Sequence, residues 1–270
     1  MSSTRRPLKA LGQNFLVDRN IIDKIISSAD VHPEDNVLEI GPGRGALTEI
    51  LAQRAGRLVL IEFDHALAGS LKRRYQHDLR VTVIDGDVLA VDLAAILSVA
   101  DSWKVVANLP YNISTAVLFR LQEVRGKLSR MILMLQKEVG DRLVAPPDCS
   151  DYGVTTVLLG LWFDMRREFL VPPGCFHPSP KVDSAVLRFV PLAAPRVAVG
   201  DEVVFKRVVK GAFGMRRKTL INCLKAAELV PRDEVQQVLD DCGIDGKRRG
   251  ETLTLDEFAA LSRRFSEVNV

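Results

Sequence analysis

The sequence predicts a doubly wound α/β fold, a parallel sheet covered by helices on both faces, followed by a small all-helical domain. Three observations predict it. From Asn36 onward, short β-branched runs alternate with helix-period segments. The strand runs are apolar on both faces, as buried parallel strands are. Beyond about residue 201 every periodic segment is helical.

Taken in order, "DRNIIDKIISSA" offers Asp18 as a cap and an apolar stripe at Ile21, Ile22, Ile25 and Ile26, so a helix precedes the first strand. The alternation then runs "NVLEIG" and "ALTEILAQRA", "RLVLIEF" and "ALAGSLKRRY", "RVTVID" and a short apolar helix, "KVVANL" and "STAVLFRLQEV", and finally "RMILML". After about residue 164, "MRREFLV" and "VDSAVLRFV" read as two strands joined by the proline-rich "PPGCFHPSPK", an antiparallel pair at the sheet edge. The expected boundaries are 1–190 for the α/β domain with a basic N-terminal arm, 191–200 for a linker, and 201–270 for the helical domain. The helices of that last part are expected in "EVVFKRVVKGAF", "RRKTLINCLKAA", "RDEVQQVLDDCG" and "TLDEFAALSRRF".

Composition narrows the function classes. The 270 residues are 47% hydrophobic and 26% charged, enough for a substantial core. The first thirty residues are interrupted by charge throughout, unlike a secretory signal, and no apolar run approaches the roughly 20 residues of a membrane span, so a cytoplasmic protein is expected. Four scattered cysteines with no CxxC pair suggest neither zinc nor a disulfide framework, and the four histidines are equally dispersed. The net charge of +3 hides an uneven distribution. Arg5, Arg6 and Lys9 stand in an N-terminal arm without acids, and residues 203–225 carry Lys206, Arg207, Lys210, Arg216, Arg217, Lys218 and Lys225, again without an acid. Such stretches more often mark a solvated face, but the complete absence of acids favours contact with nucleic-acid phosphates.

"LEIGPGRGALTEI" places Gly41, Gly43 and Gly45 between the first strand and its helix, a nucleotide-type site at the carboxyl end of the sheet. Read as Gly41, Gly43 and Ala46 it also fits the dinucleotide pattern GxGxxA, with Glu62 about twenty residues later where a ribose-binding acid belongs. Glu39, two residues before Gly41, argues against a pyrophosphate, which it would repel, and for a cationic amine. Asp87, in "IDGDVL", lies on the same rim and suits the exocyclic amine of an adenine; the bland reading of Asp85, Gly86 and Asp87 is an acid-rich turn. Acids at the ends of three successive strands describe a site for S-adenosylmethionine.

Six motifs in register, "GQNFL" (12–16), "EIGPGRGALT" (39–48), Glu62, "DGD" (85–87), "NLPYNIS" (108–114) and "FHPSPKVDSAV" (176–186), resemble the small-subunit rRNA adenine dimethyltransferases. The resemblance implies a seven-stranded class I methyltransferase fold, S-adenosylmethionine as donor, and N6,N6-dimethylation of two adjacent adenosines near the 3′ end of 16S rRNA in the 30S subunit. By motif match, Gln13, Asn14 and Leu16 close over the donor, Gly41 and Gly43 line it, Glu62 holds its ribose, Asp87 its adenine, and Asn108 sits between donor and target.

The chemistry supports that placement. An adenine amine is a weak nucleophile because its lone pair is delocalised into the ring, so transfer needs acceptors on its hydrogens. The Asn108 side-chain oxygen and the Leu109 carbonyl are expected to supply them, held by the turn at Pro110, with Tyr111 stacking on the base. Phe176 is a candidate for the opposite face of the base, or equally an aromatic packed in a proline loop. No general base is required, because the neutral amine attacks and loses its proton afterwards. A 23S-type resistance methylase, a non-catalytic assembly or transcription factor on the same fold, and a nicotinamide oxidoreductase are the competing readings. A metal is not expected, and a monomer is.

Overall fold

The computed structural model describes residues 14–215 and 217–268. The chain divides into two compact units, Met1–Gly140 with Asp164–Pro191, and Asp141–Phe163 with Leu192–Val270.

The first unit is built on a seven-stranded sheet. In chain order its elements are β1 (Phe15–Leu16), α1 (Arg19–Ala29), β2 (Asn36–Ile40), α2 (Thr48–Arg54), β3 (Arg57–Glu62), α3 (His65–Arg74), β4 (Val81–Asp85), α4 (Leu93–Leu97), β5 (Trp103–Asn108), α5 (Ser114–Glu123) and β6 (Leu128–Gln136). A helix α6 (Lys137–Leu143) and a helix α7 (Val154–Gly160) follow, then β7 (Phe163–Val171), β8 (Phe176–His177) and β9 (Ser184–Pro191). The sheet order is β4-β3-β2-β5-β6-β9-β7. Strands β4, β3, β2, β5 and β6 pair in parallel, and β9 runs antiparallel to β6 with Ser184 opposite Gln136. The doubly wound expectation therefore holds, with β7 and β9 adjacent at the edge.

Why these residues form these elements is plain locally. Asp18 caps α1 by accepting the Ile21 N–H at 3.0 Å, and the helix buries Ile21, Ile22, Ile25, Ile26 and Ala29, the stripe read from the sequence. Strands β2 and β3 are buried along almost their whole length, so burial of Val, Leu and Ile on both faces stabilises the centre of the sheet. The strand order reverses between β2 and β5. That reversal leaves a crevice beyond their carboxyl ends, which is where doubly wound sheets take their ligands.

The second unit contains α7, α8 (Glu202–Ala212), α9 (Leu220–Ala226), α10 (Glu234–Asp241) and α11 (Leu255–Val268). Asp201 caps α8 through the Val203 and Val204 N–H groups, and Phe205, Val208, Val209 and Ala212 form its buried face. Three differences from the sequence reading have physical reasons. Residues 141–163 join this unit because Tyr152 lies 6.0 Å from the Phe213 ring, which in turn stacks on Phe258 at 5.8 Å. The expected linker is pinned rather than free, since the Leu192 and Arg196 N–H groups donate to the Trp162 and Leu161 carbonyls at 2.9 Å. Helix α9 begins at Leu220, not at the arginines, because the Leu220 and Ile221 N–H groups are drawn to the Arg248 and Gly246 carbonyls.

Candidate active site

The loop leaving β2 approaches the loop leaving β5 closely. The Gly41 N–H donates to the Ile61 carbonyl at 2.9 Å, carrying the ladder one residue past β2, and Gly41 then turns with φ +66°, in the left-handed region that favours glycine. A Cβ at Gly41 would lie 3.7 Å from the Asn108 carbonyl oxygen and 3.9 Å from the Pro110 ring, which measures how near the two loops come. At Gly43, φ is +59° and a Cβ would meet the Phe15 ring at 3.1 Å. That ring also carries the Arg44 guanidinium, 4.5 Å from its centroid.

Three carboxylates line the crevice in different environments. Glu39 is 2% exposed, and the Thr48 hydroxyl donates to its Oε2 at 2.7 Å. Burial pushes its pKa up to about 8; the Thr48 hydrogen bond opposes the shift and the nearby Glu62 charge adds to it. Glu62 is also buried; its Oε2 accepts the Gly43 N–H at 2.8 Å and its Oε1 the Asp64 N–H at 2.9 Å. Burial raises its pKa, and these backbone donors pull it back. Asp87 is half-buried and accepts the Leu89 N–H at 2.9 Å. Its neighbour Asp85 is turned to other use, 2.5 Å from the His65 ring nitrogen. The acid-rich turn thus offers Asp87, not Asp85, to the crevice.

Asn108, the last residue of β5, and the three residues that follow it complete the wall. The Leu109 N–H donates to the Met134 carbonyl at 3.1 Å, anchoring the turn to β6, and the Ile113 N–H closes it onto the Pro110 carbonyl at 3.2 Å. Leu109 is itself buried at the cavity wall. The Asn108 amide donates to the Asn14 carbonyl at 3.1 Å, which turns the amide oxygen the other way. The Tyr111 hydroxyl lies 2.7 Å from the Ser184 hydroxyl, and burial raises the phenol's pKa.

One cavity of about 470 Å³ gathers these groups, a size suited to a small ligand. Asn14, Leu16, Glu39, Gly41, Gly43 and Glu62 line it, as do Asp87, Asn108, Leu109 and Tyr111. Phe176 does not. Its ring is 4% exposed within the hydrophobic core beside Leu16 and Val171, and its backbone pairs with Leu16, so the expected stacking on the target base is corrected to core packing. Gln13 lies outside the described residues, as do Arg5, Arg6, Lys9 and Arg216. Sequence reading missed the parts played by Thr48, Phe15 and Ser184, and the exposed Phe63 on the rim directly after Glu62. For Thr48, Phe15 and Ser184 the signal was present, since all three fall inside the motifs quoted above.

In the second unit, Lys206, Arg207 and Lys210 are exposed on α8, and Arg217 and Lys218 in the α8–α9 connection. Among the described residues these five make no ion pair, whereas Arg248 pairs with Glu257 and Arg264 with Asp241 and Glu267. The basic cluster has therefore not been spent on folding.

Comparison with known proteins decides the family. A family profile described as ribosomal RNA adenine dimethylase matches residues 6–267. The chain belongs to the ribosomal RNA adenine dimethylases. This dimethylase is 57% identical over 261 residues to the ribosomal RNA small subunit methyltransferase A of Geobacter metallireducens, covering 96% of this chain and 95% of that one. It is 42% identical over 254 residues to the protein of that name from Clostridium acetobutylicum, covering 94% and 92%. Among solved structures it resembles a dimethyladenosine transferase from Plasmodium falciparum, with TM-score 0.81, 26% identity, and coverage of 95% and 98%. It also resembles the 23S rRNA methyltransferase ErmE, with TM-score 0.69, 27% identity, and coverage of 94% and 100%.

The dimethylase's methyl donor is S-adenosylmethionine, and the residues present fit it. A buried carboxyl, two further acceptors and glycine backbone within one cavity match a ligand carrying an ammonium, a diol and an exocyclic amine.

Proposed function

We propose that this dimethylase converts two adjacent adenosines near the 3′ end of 16S rRNA, within the small ribosomal subunit, to N6,N6-dimethyladenosine, acting as a cytoplasmic monomer without a metal. The observation that carries this reading is the meeting of the three-acid crevice and the 108–111 tetrad at one cavity where the strand order reverses. The choice of the small subunit is supported by relatives at 42–57% identity that share the name small subunit methyltransferase A. The 23S-type alternative is supported only by the weaker likeness to ErmE.

When bound, the donor supplies an electrophilic methyl group on a positively charged sulfur. Glu39 holds its ammonium, Glu62 its ribose hydroxyls and Asp87 its adenine amine, while Asn14, Leu16, Gly41 and Gly43 form the walls. Gln13, outside the described residues, contributes by motif match. The Asn108 oxygen and the Leu109 carbonyl accept the N6–H groups of the target, drawing the nitrogen lone pair out of conjugation. Tyr111 carries the base on its ring. The main contributions are orientation and fixed dipoles, and no side chain takes a proton before transfer.

The target base has to leave its stack to reach the cavity. Phosphates flanking it are bound by Lys206, Arg207, Lys210, Arg217 and Lys218, together with Arg216, Arg5, Arg6 and Lys9, which lie outside the described residues. Primer extension across 16S rRNA from cells lacking the protein tests the reading, because a dimethylated adenosine cannot pair and stops the polymerase. The stop at this pair should vanish, return with the wild-type gene, and stay absent with Asn108→Ala. Stops that persist without the protein would sink the proposal.

A further inference from the structure

The segment "FHPSPKVDSAV" is part of the family resemblance, yet its one aromatic is buried in the core and leaves the motif without a task at the site. Its serine has one. Ser184 is the first residue of β9, fully buried, and its hydroxyl lies 2.7 Å from the Tyr111 hydroxyl, 73 residues away in sequence. Its backbone is held on either side. Ser184 stands opposite Gln136 in the β6–β9 ladder, and the Lys137 N–H donates to the Asp183 carbonyl at 2.9 Å.

Tyr111 is half-buried and lines the cavity. Near its backbone it is fixed by its own carbonyl, which accepts the Ser114 hydroxyl at 3.2 Å. The first side-chain torsion swings the ring and its hydroxyl together, whereas the second turns the ring about an axis through the hydroxyl, so a tether at the hydroxyl end fixes where the ring is swung. A stacking platform serves methyl transfer best if its place is set before the base arrives.

We propose that Ser184 is a positioning residue, whose hydroxyl holds the Tyr111 ring in place at the cavity wall and through it the position of the target base. This inference rests on the reading of Tyr111 as the stacking surface. Ser184 touches neither donor nor base; it acts through the phenol.

The test compares Ser184→Ala, Tyr111→Phe, the double variant and Tyr111→Ala on unmethylated small subunits, with donor affinity measured separately. Ser184→Ala and Tyr111→Phe should each lower kcat about three- to tenfold, the range of one neutral hydrogen bond, while donor affinity stays within about twofold. The double variant should be no worse than either single one, because both remove the same bond. Ser184→Thr, which keeps the hydroxyl, should recover part of the loss. A purely structural role would instead weaken donor binding along with turnover. If Ser184→Ala fails to fold, Tyr111→Phe reads the same bond from its other end. Wild-type kcat in Tyr111→Phe, or additive losses in the double variant, would overturn the positioning role even with Tyr111→Ala impaired. Wild-type turnover in Tyr111→Ala would overturn the stacking reading and this inference with it.

Discussion

Replacing Glu39 by glutamine separates a buried charge from a buried shape. The carboxyl is raised from 4.5 to about 8, chiefly by burial. Between those values the folded protein binds a proton that the unfolded chain has released, so this group's contribution is fully present below pH 4.5 and is lost as pH rises through 8. At pH 7 the loss is on the order of 3 kcal/mol, from about 1.4 kcal/mol for each pH step above 4.5. The glutamine amide would keep an oxygen for the Thr48 hydroxyl and has nothing to titrate. Any cost of its extra N–H shifts the comparison by a constant and leaves its slope alone. Urea unfolding of the donor-free protein should therefore show Glu39→Gln gaining on the wild type steadily from pH 5 to 8, and not below 4.5. Binding adds a second readout. An ammonium about 4 Å from an ionised Glu39 gains roughly 4 kcal/mol at an effective dielectric of 20, enough to drive the proton off. Calorimetry near pH 7 in buffers of different ionisation enthalpy should detect release of nearly one proton by the wild type and none by the variant, with weaker donor binding. A stability difference that is flat with pH would refute the burial argument, and donor binding without proton release would refute the ammonium assignment.

Asn108→Ala should leave donor binding measurable and lower turnover by about 100-fold or more, as loss of a preorganised polar group does elsewhere; full activity in a methyl-transfer assay would remove Asn108 from the chemistry. Glu62→Ala takes away a ribose acceptor and also the partner of the Gly43 N–H, so calorimetry should show the donor's Kd rising about tenfold or more. An unchanged Kd would take Glu62 out of the site. Charge reversal at Arg216, Arg217 and Lys218 should weaken RNA binding and flatten the salt dependence of log K by roughly 0.7 to 0.9 for each phosphate no longer neutralised. Unaltered slopes would mean that these cations face solvent alone.

Much of the catalytic unit is written in short-range pattern. Runs apolar on both faces gave away β2, β3, β5 and β6, and the glycines with Glu39, Glu62, Asp87 and Asn108 marked the rim, because residues at the ends of parallel strands meet wherever the sheet forms. What stayed hidden depends on distant partners. Nothing local in Phe15 or Phe176 announces that their two-residue segments pair, or that the second ring sinks into the core. Tyr152 draws residues 141–163 to the helical unit through its ring packing on Phe213, far along the chain. Leu220 ends the basic connection because its N–H finds Arg248. The raised pKa of Glu39 follows from its burial, which composition cannot disclose.

The short ribbon of Phe15–Leu16 against Phe176–His177, extended by the Val17 N–H on the Cys175 carbonyl, has a consequence out of proportion to its size. Asn14, at its margin, receives the Asn108 amide, so the aim of that amide hangs on a strip two rungs long. Any change that shifts this strip would therefore also shift the acceptor that aims the amide, although the two lie 94 residues apart in the chain.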